Sequence, residues 1–180
     1  LTLPAHAAQE AGFTRSRVYG GEFADLTPES PFYSNVAALY EYGLSNGKDD
    51  GTFGLGDSVT VGQAVIFAGR VRGLYRTGSP EAALAHRRET TPAALAYLRY
   101  LQAEGALDLG FIDGYMELYE PATRAQVAHI LANILPEEVL PPLHDELVTV
   151  GYSSRRFISD VDEYTPYYQD ILSLYRKGVS

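Results

Sequence analysis

Residues 53–71, FGLGDSVTVGQAVIFAGRV, decide the fold, together with residues 115–135, YMELYEPATRAQVAHILANIL. In each stretch a Thr precedes an apolar run, and a Gln stands three residues after the Thr. The pairs Thr60-Gln63 and Thr123-Gln126 have the spacing of a capping box, in which side chains and backbone amides at a helix start bond each other reciprocally. Two such boxes before two apolar runs predict two matching helices and a repeated unit.

The composition is typical of a folded, acidic protein. The 180 residues are 46% hydrophobic, carry a net charge of −9 and include no Cys. The absence of Cys excludes disulfides and thiolate metal sites. The acidic balance argues against nucleic acid or an anionic membrane as a partner, since both need a basic face, but it allows a local Arg pocket for an anion. No stretch is long and apolar enough to be a transmembrane segment.

The first residues, LTLPAHAAQE, are similar to the end of a secretory signal peptide. Ala5 and Ala7 have the small-x-small pattern of a cleavage site. An Ala-rich disordered leader is the alternative. Residues 8–22 show no sustained periodicity, which predicts a linker. We therefore expect residues 1–22 to hold the end of a signal peptide and a linker, and the protein to be secreted.

The first unit, residues 23–75, predicts a helix, a turn and a second helix. Ser30-Pro31 has the pattern of a helix cap followed by Pro at the first helical position, and Gly43 that of a left-handed residue that ends the helix. The second helix is apolar nearly all round, which is typical of a buried helix. Close backbone packing would be a reason to keep the two glycines that weaken this helix, Gly62 and Gly69.

Two further units are predicted. Residues 91–135 are a divergent second copy, with a start at Thr91-Pro92, a stop at Gly105 and a second helix that runs to Leu135. Residues 157–180 repeat the first half of the first unit, and we expect the remainder of this third unit beyond the given sequence. A short helical run, EAALAHRRE, is expected in the first of two connectors, residues 76–90 and 136–156.

The order of these motifs resembles the S-layer homology domain. The shared run is F-x-D, then Y-x-x-[VI]-x-x-L-x-x-x-G-[LV]-S-x-G, then D-G-x-F, then T-R-A-Q before an apolar helix. The match is best in residues 23–72, with support from residues 113–135 and 157–180. The resemblance implies an all-α fold of tandem helix-loop-helix repeats, here an incomplete pseudo-threefold helical assembly.

The resemblance also implies a binding function at the bacterial cell surface. Domains of this family anchor exported proteins to the cell wall or S-layer by binding secondary cell-wall polymer, often pyruvylated, or glycan linked to peptidoglycan. It implies no enzyme activity, cofactor or metal site for this region. Two alternatives remain open: a degenerate structural or protein-interaction repeat, and the targeting module of a secreted hydrolase with a catalytic domain beyond residue 180.

Arg124 matches the Arg of the family's T-R-A-E motif, and the resemblance implies that it is a principal ligand contact, with Thr123 and Gln126 beside it. The carboxylate of a pyruvylated sugar calls for a guanidinium fork and for amides at a helix start. The alternative is an Arg solvated on the first turn of its helix. In the first unit, Val61 stands in place of this Arg.

Four other polar residues are candidate ligand contacts. Asp25 and Asp160 match the acidic position that opens a family unit, and they could accept hydroxyl groups of a sugar or cap the turns ahead of their helices. Asn46 and Lys48 lie in the turn between the helices of the first unit, where they could line a groove. Exposed turn polarity explains these two residues as well.

The sequence contains no recognisable catalytic or metal-binding motif. There is no Ser/His/Asp signature, phosphate-binding loop or GxSxG, and KDDGTF lacks the ligands of an EF-hand. His86 and His144 have no second ligand at metal spacing. His129 lies within a predicted helix, where a lone His is usually packed or half exposed.

Overall fold

The computed structural model describes residues 13–85, 87–108, 110–143, 158 and 160–179. These residues form no strand and five α-helices: α1 (Tyr33–Glu41), α2 (Val61–Thr77), α3 (Ala93–Ala103), α4 (Arg124–Ala132) and α5 (Tyr168–Arg176). Two 3-10 segments, Ala82–Leu84 and Tyr115–Tyr119, lie on either side of α3. The predicted all-α fold is confirmed, whereas the pseudo-threefold arrangement and the boundaries of the units stay predictions.

Helix α2 lies at the centre of the core. It packs against α3, α4 and both 3-10 segments. Val65 and Ala68 are fully buried, and Val61, at the first position of the helix, is 1% exposed. A helix covered from several sides needs apolar residues nearly all round, and this is the pattern of its sequence.

Two glycines let other elements approach the backbone of α2. A Cβ atom at Gly62 would lie 2.7 Å from the carbonyl oxygen of Leu118 and 3.1 Å from Cβ of Ala94. A Cβ atom at Gly69 would enter the ring of Tyr97, which is fully buried and donates its hydroxyl to the carbonyl of Pro80 at 2.9 Å. The close packing expected at both glycines is confirmed.

Both predicted capping boxes form. Oγ1 of Thr60 accepts from the amide of Gln63 at 3.1 Å, and Oε1 of Gln63 accepts from the amide of Thr60 at 2.9 Å. The box of Thr123 and Gln126 has the same two distances. The predicted helix stops are also confirmed, since left-handed glycines directly follow the caps of α1 and α3 at Gly43 and Gly105.

Two predicted helix starts are wrong. Helix α1 begins at Tyr33, and Oγ of Ser30 accepts from the amide of Phe32 in a short turn before it. Pro92 has a ψ of 142°, so it is the cap of α3 rather than its first helical residue, and Thr91 does not cap the helix. In both places the Pro lies outside the helix, because its fixed φ also suits an extended or turn conformation.

Two predicted helical runs are shorter than expected. Helix α4 ends at Ala132, not Leu135. Pro136 disfavours helical backbone at the residue before it, which explains why the helix does not continue. In the first connector, the described part of EAALAHRRE contains one 3-10 turn, Ala82–Leu84, since a short isolated run is marginal as a helix.

The segment before α1, residues 13–22, has no regular structure but packs on the helices. Phe13 is buried, and its ring lies 6.3 Å from that of Tyr75 near the end of α2. The linker is therefore part of the folded domain from Phe13 onward. Four features discussed from the sequence lie outside the described residues: the predicted cleavage pattern, His86, His144 and residue 157.

No described helix is both long and apolar enough to cross a membrane.

Candidate functional site

Arg124 is the first residue of α4 and is exposed. Its side chain forms no hydrogen bond or ion pair with any other residue that the structure describes. In the neighbouring capping box, Oγ1 of Thr123 and Oε1 of Gln126 are hydrogen-bonded to each other, and each also accepts from a backbone amide. The start of α4 therefore presents an unengaged guanidinium beside a fixed helix end, a combination that suits an anion.

The starts of α2 and α4 lie side by side. The amide of Val61 donates to the carbonyl of Glu120 at 2.9 Å, and the amide of Ala122 donates to the carbonyl of Val59 at 2.8 Å. These bonds form an isolated antiparallel bridge between Thr60 and Pro121. The two capping boxes are thus joined through the residues that precede their helices.

The carboxylate of Asp25 is engaged by the backbone. It accepts from the amides of Phe53, Gly54 and Leu55 at 2.7, 2.8 and 3.1 Å. These bonds, that of Phe53 foremost, hold the pKa of Asp25 below its usual value. Asp25 therefore caps the turn at residues 53–55, not the turn ahead of α1.

Asp160 is exposed, and no described amide donates to its carboxylate.

Asn46 contacts Arg17, a residue that the sequence patterns did not single out. Nη2 of Arg17 donates to Oδ1 of Asn46 at 2.6 Å and to the carbonyl of Ser45 at 3.0 Å. The guanidinium lies 3.6 Å from the ring centre of Tyr40, and its Nε donates to the carbonyl of the same residue. Arg17 therefore links the segment before α1 to the end of α1. No sequence pattern near Arg17 predicts these contacts.

Lys48 is paired with carboxylates. Its Nζ lies 2.8 Å from Asp57 and 3.8 Å from Asp50, and the hydrogen bond with Asp57 is the main reason why the pKa of Lys48 is raised. An open depression of about 500 Å³ is lined by residues 47–50. Because Lys48 and Asp57 are largely exposed, their ion pair adds little stability and can exchange with a ligand.

His129 is the polar feature that sequence patterns described least well. Its Nδ1 lies 2.7 Å from Oδ2 of Asp170 in α5, and its Nε2 lies 2.8 Å from Oδ2 of Asp108, after α3. The ring stacks on Tyr167 at 4.2 Å, and the side chain is 13% exposed. The packing expected for this His is confirmed, but its two carboxylate partners are distant in sequence and were not predicted. His129 links α4 to its neighbours.

Six of the seven predicted site residues form two groups, and Asp160 belongs to neither. Thr123, Arg124 and Gln126 lie together at the start of α4. Asp25, Asn46 and Lys48 surround the loop between α1 and α2. No hydrogen bond or ion pair joins the two groups within the described parts of the chain.

Residues 22–64 match the sequence profile of the S-layer homology domain. This part of the chain is an S-layer homology domain. It comprises α1, the loop that Asp25 caps, the capping box of Thr60 and the start of α2. The match ends before α4, so Arg124 lies outside it. No curated protein and no solved structure matches the chain.

The family match defines the broad function. An S-layer homology domain is a binding module, not a catalytic one, and it attaches proteins to cell-wall polymers at the bacterial surface. Attachment to the bacterial cell surface is therefore the function that this domain supports.

Proposed function

We propose that the chain anchors an exported protein to the cell envelope by binding secondary cell-wall polymer. The S-layer homology domain at residues 22–64 carries this proposal. The ligand proposed is an anionic glycan, such as one with pyruvylated sugars. Because the chain itself has a net charge of −9, long-range electrostatics repel such a polymer, and affinity must come from short-range contacts with individual cations.

Arg124 is the proposed main contact. A guanidinium can donate two parallel hydrogen bonds to one carboxylate, and the start of α4 adds a favourable dipole. The exposed position of Arg124, without a described acidic partner, leaves this fork available. Tyr119, which is 59% exposed and precedes the capping box, supplies an amphipathic ring near the same helix start.

The group around the first loop has a supporting role in this proposal. The backbone bonds of Asp25 hold the turn at residues 53–55, and Lys48 at the loop surface is open to a ligand. Asn46 is already engaged by Arg17. A sugar bound at this loop would exchange the exposed bonds of Lys48 for its own hydroxyl or carboxylate groups.

A structural role is the second candidate for the first unit. Its capping box has Val61 where the second has Arg124, and Val61 is 1% exposed. The buried, apolar side chain of Val61 offers no contact to a ligand outside the domain. The observation favours a first helix start that supports the fold and a second that contacts the polymer.

We also propose that residues 91–135 are a divergent copy of the first unit and that residues 157–180 are a copy of its first half. The equal distances in the two capping boxes and the left-handed glycines that end α1 and α3 support a common origin. Export remains part of the proposal, supported by the cleavage pattern at Ala5 and Ala7.

Co-sedimentation with purified Gram-positive cell walls tests the proposed function. The chain is expected in the pellet with intact walls and in the supernatant with walls from which hydrofluoric acid has removed the secondary polymer. Equal recovery in the supernatant with and without walls would refute envelope binding. Equal pelleting with intact and stripped walls would instead identify peptidoglycan as the ligand and refute the secondary polymer.

A further inference from the structure

A cavity of about 560 Å³ lies at the far end of α4 from Arg124. Its wall is formed by the second half of α2, the end of α3, the residues after α4 and the last turn of α5. Helix α4 has nine residues, so the cavity is about 13 Å from the start of the helix. The volume is within the range of pockets that hold small ligands, about 300–1,000 Å³.

Among the residues that the structure describes, three basic side chains and one acidic side chain line this cavity: Arg72, Arg176, Lys177 and Glu137. This is an unusual concentration in a chain whose net charge is −9. Glu104, behind Arg72, accepts from Nε of Arg72 at 3.3 Å and pairs with Nε of Arg76 at 3.0 Å. Because two guanidinium groups share this carboxylate, it offsets only part of their combined positive charge.

Two of the three basic side chains, those of Arg72 and Lys177, are held in place by hydrogen bonds that use only some of their N–H donors. Nη1 of Arg72 donates to the carbonyl of Ile134 at 3.2 Å, and Nζ of Lys177 donates to the carbonyl of Ala132 at 3.2 Å. Arg72 is 14% exposed, which limits its freedom to move. A guanidinium has five N–H donors and an ammonium three, so each side chain has more N–H groups than these bonds use. Such fixed, incompletely used cations are suited to an anion.

We propose that this cavity is a second binding site, which takes a sugar residue that bears a carboxylate or phosphate group. Arg176 and Lys177 would contact the charge, and the polar side chains of Ser173 and Asn133, which also line the cavity, would contact hydroxyl groups. The choice of a sugar rests on the proposed function, since a wall polymer supplies charged sugars. Because Arg124 is about 13 Å away at the other end of α4, one polymer chain could contact both sites.

Titration of the ¹⁵N-labelled chain with glucuronate, glucose 1-phosphate and neutral glucose, at ionic strength matched with sodium chloride, tests this site. We expect saturable shifts of the amide signals of Gly105, Asn133 and Ser173 with at least one charged sugar and none with glucose. Arg176→Gln is expected to weaken binding about tenfold, the effect of losing one charge-assisted hydrogen bond. Lys177→Gln should have a similar effect if its ammonium contacts the same charge.

Arg124→Gln is the matched control, because it removes a guanidinium outside the cavity. It should leave the shifts at the cavity unchanged, whatever it does to co-sedimentation with cell walls, so the two proposals fail separately. Binding of glucuronate alone would identify a carboxylate site, and binding of glucose 1-phosphate alone a phosphate site. Equal shifts with neutral glucose, or shifts that Arg176→Gln and Lys177→Gln both leave unchanged, would overturn the proposal.

Discussion

The starts of α2 and α4 share one local design and have opposite surroundings. Each has a Thr-Gln capping box with the same two distances, and a short bridge joins the residues before them. The first helical residue of α2, Val61, is 1% exposed, whereas its counterpart in α4, Arg124, is exposed. A capping box therefore determines where a helix begins, while its neighbours determine whether that helix start can bind anything.

The neighbours of Gly62 explain the difference. The carbonyl of Leu118 and the side chain of Ala94 lie so close to Gly62 that they leave no room for a Cβ atom. The start of α2 is thereby covered by the 3-10 segment Tyr115–Tyr119 and by α3. The corresponding residue in α4 is Ala125, which is partly exposed. An Arg in place of Val61 would have to bury its charge or displace this cover.

The largest expected effect comes from placing the Arg of the second box in the first. Val61→Arg puts an unpaired charge into the core, and we expect it to lower the free energy of unfolding by about 3 kcal/mol or more. The reverse change, Arg124→Val, should stay within about 0.5 kcal/mol of the unmodified chain. Urea denaturation followed by circular dichroism measures both. Equal stability of the two variants would show that the two helix starts have similar surroundings.

His129 marks a second difference, since α4 meets α5 through a polar contact at His129 as well as through apolar packing. His129→Ala should cost about 2 kcal/mol, because it removes hydrogen bonds to two carboxylates. A double-mutant cycle with Asp170→Ala, which removes the acceptor, isolates the bond to α5, and we expect a coupling energy of about 1 kcal/mol. A coupling energy near zero would mean that Asp170 does not hold α4 in solution.

Gly62→Ala tests the cover over the start of α2 directly. Ala has the better helix propensity, but its Cβ would lie 2.7 Å from a backbone oxygen, and we expect a net loss of about 1–2 kcal/mol. Gly114→Ala is the control, since a Cβ there meets nothing within 4 Å and φ is −156°. If Gly62→Ala is as stable as the control, the contact with Leu118 is looser than the structure shows.

The capping boxes should be equally important for stability. Thr60→Ala and Thr123→Ala each remove one side-chain acceptor from a helix start, and each should cost about 1 kcal/mol. Thermal unfolding of the two variants measures the comparison, with Thr60→Ser and Thr123→Ser as controls that keep the acceptor. A loss at only one of the two boxes would disprove the equivalence of their local design.

The sequence predicted those features that depend on residues close to each other in the chain. The capping boxes require a spacing of three residues, and the glycine stops after α1 and α3 act within one turn. Proline was less informative at Ser30-Pro31 and Thr91-Pro92, because its φ suits a helix start and a preceding turn equally well. The domain family was also recognisable, since its motif order is local.

Features that depend on distant contacts could not be predicted. The partners of His129 lie 21 and 41 residues away, and Arg17 reaches Asn46 across 29 residues. No periodicity or spacing reports such pairs. The burial of Val61 could likewise not be predicted, because a Val at the first position of an apolar helix is compatible with an exposed or a covered helix start.

The most direct test of the account is the affinity of Arg124→Ala for purified Gram-positive cell walls, measured by co-sedimentation over a range of wall concentrations. Arg99→Ala is the control, since Arg99 is also an exposed helical arginine. We predict that Arg124→Ala binds about tenfold or more weakly, with unchanged stability, while Arg99→Ala binds like the unmodified chain. Equal wall affinity of all three proteins would contradict the assignment of the second helix start as the polymer contact.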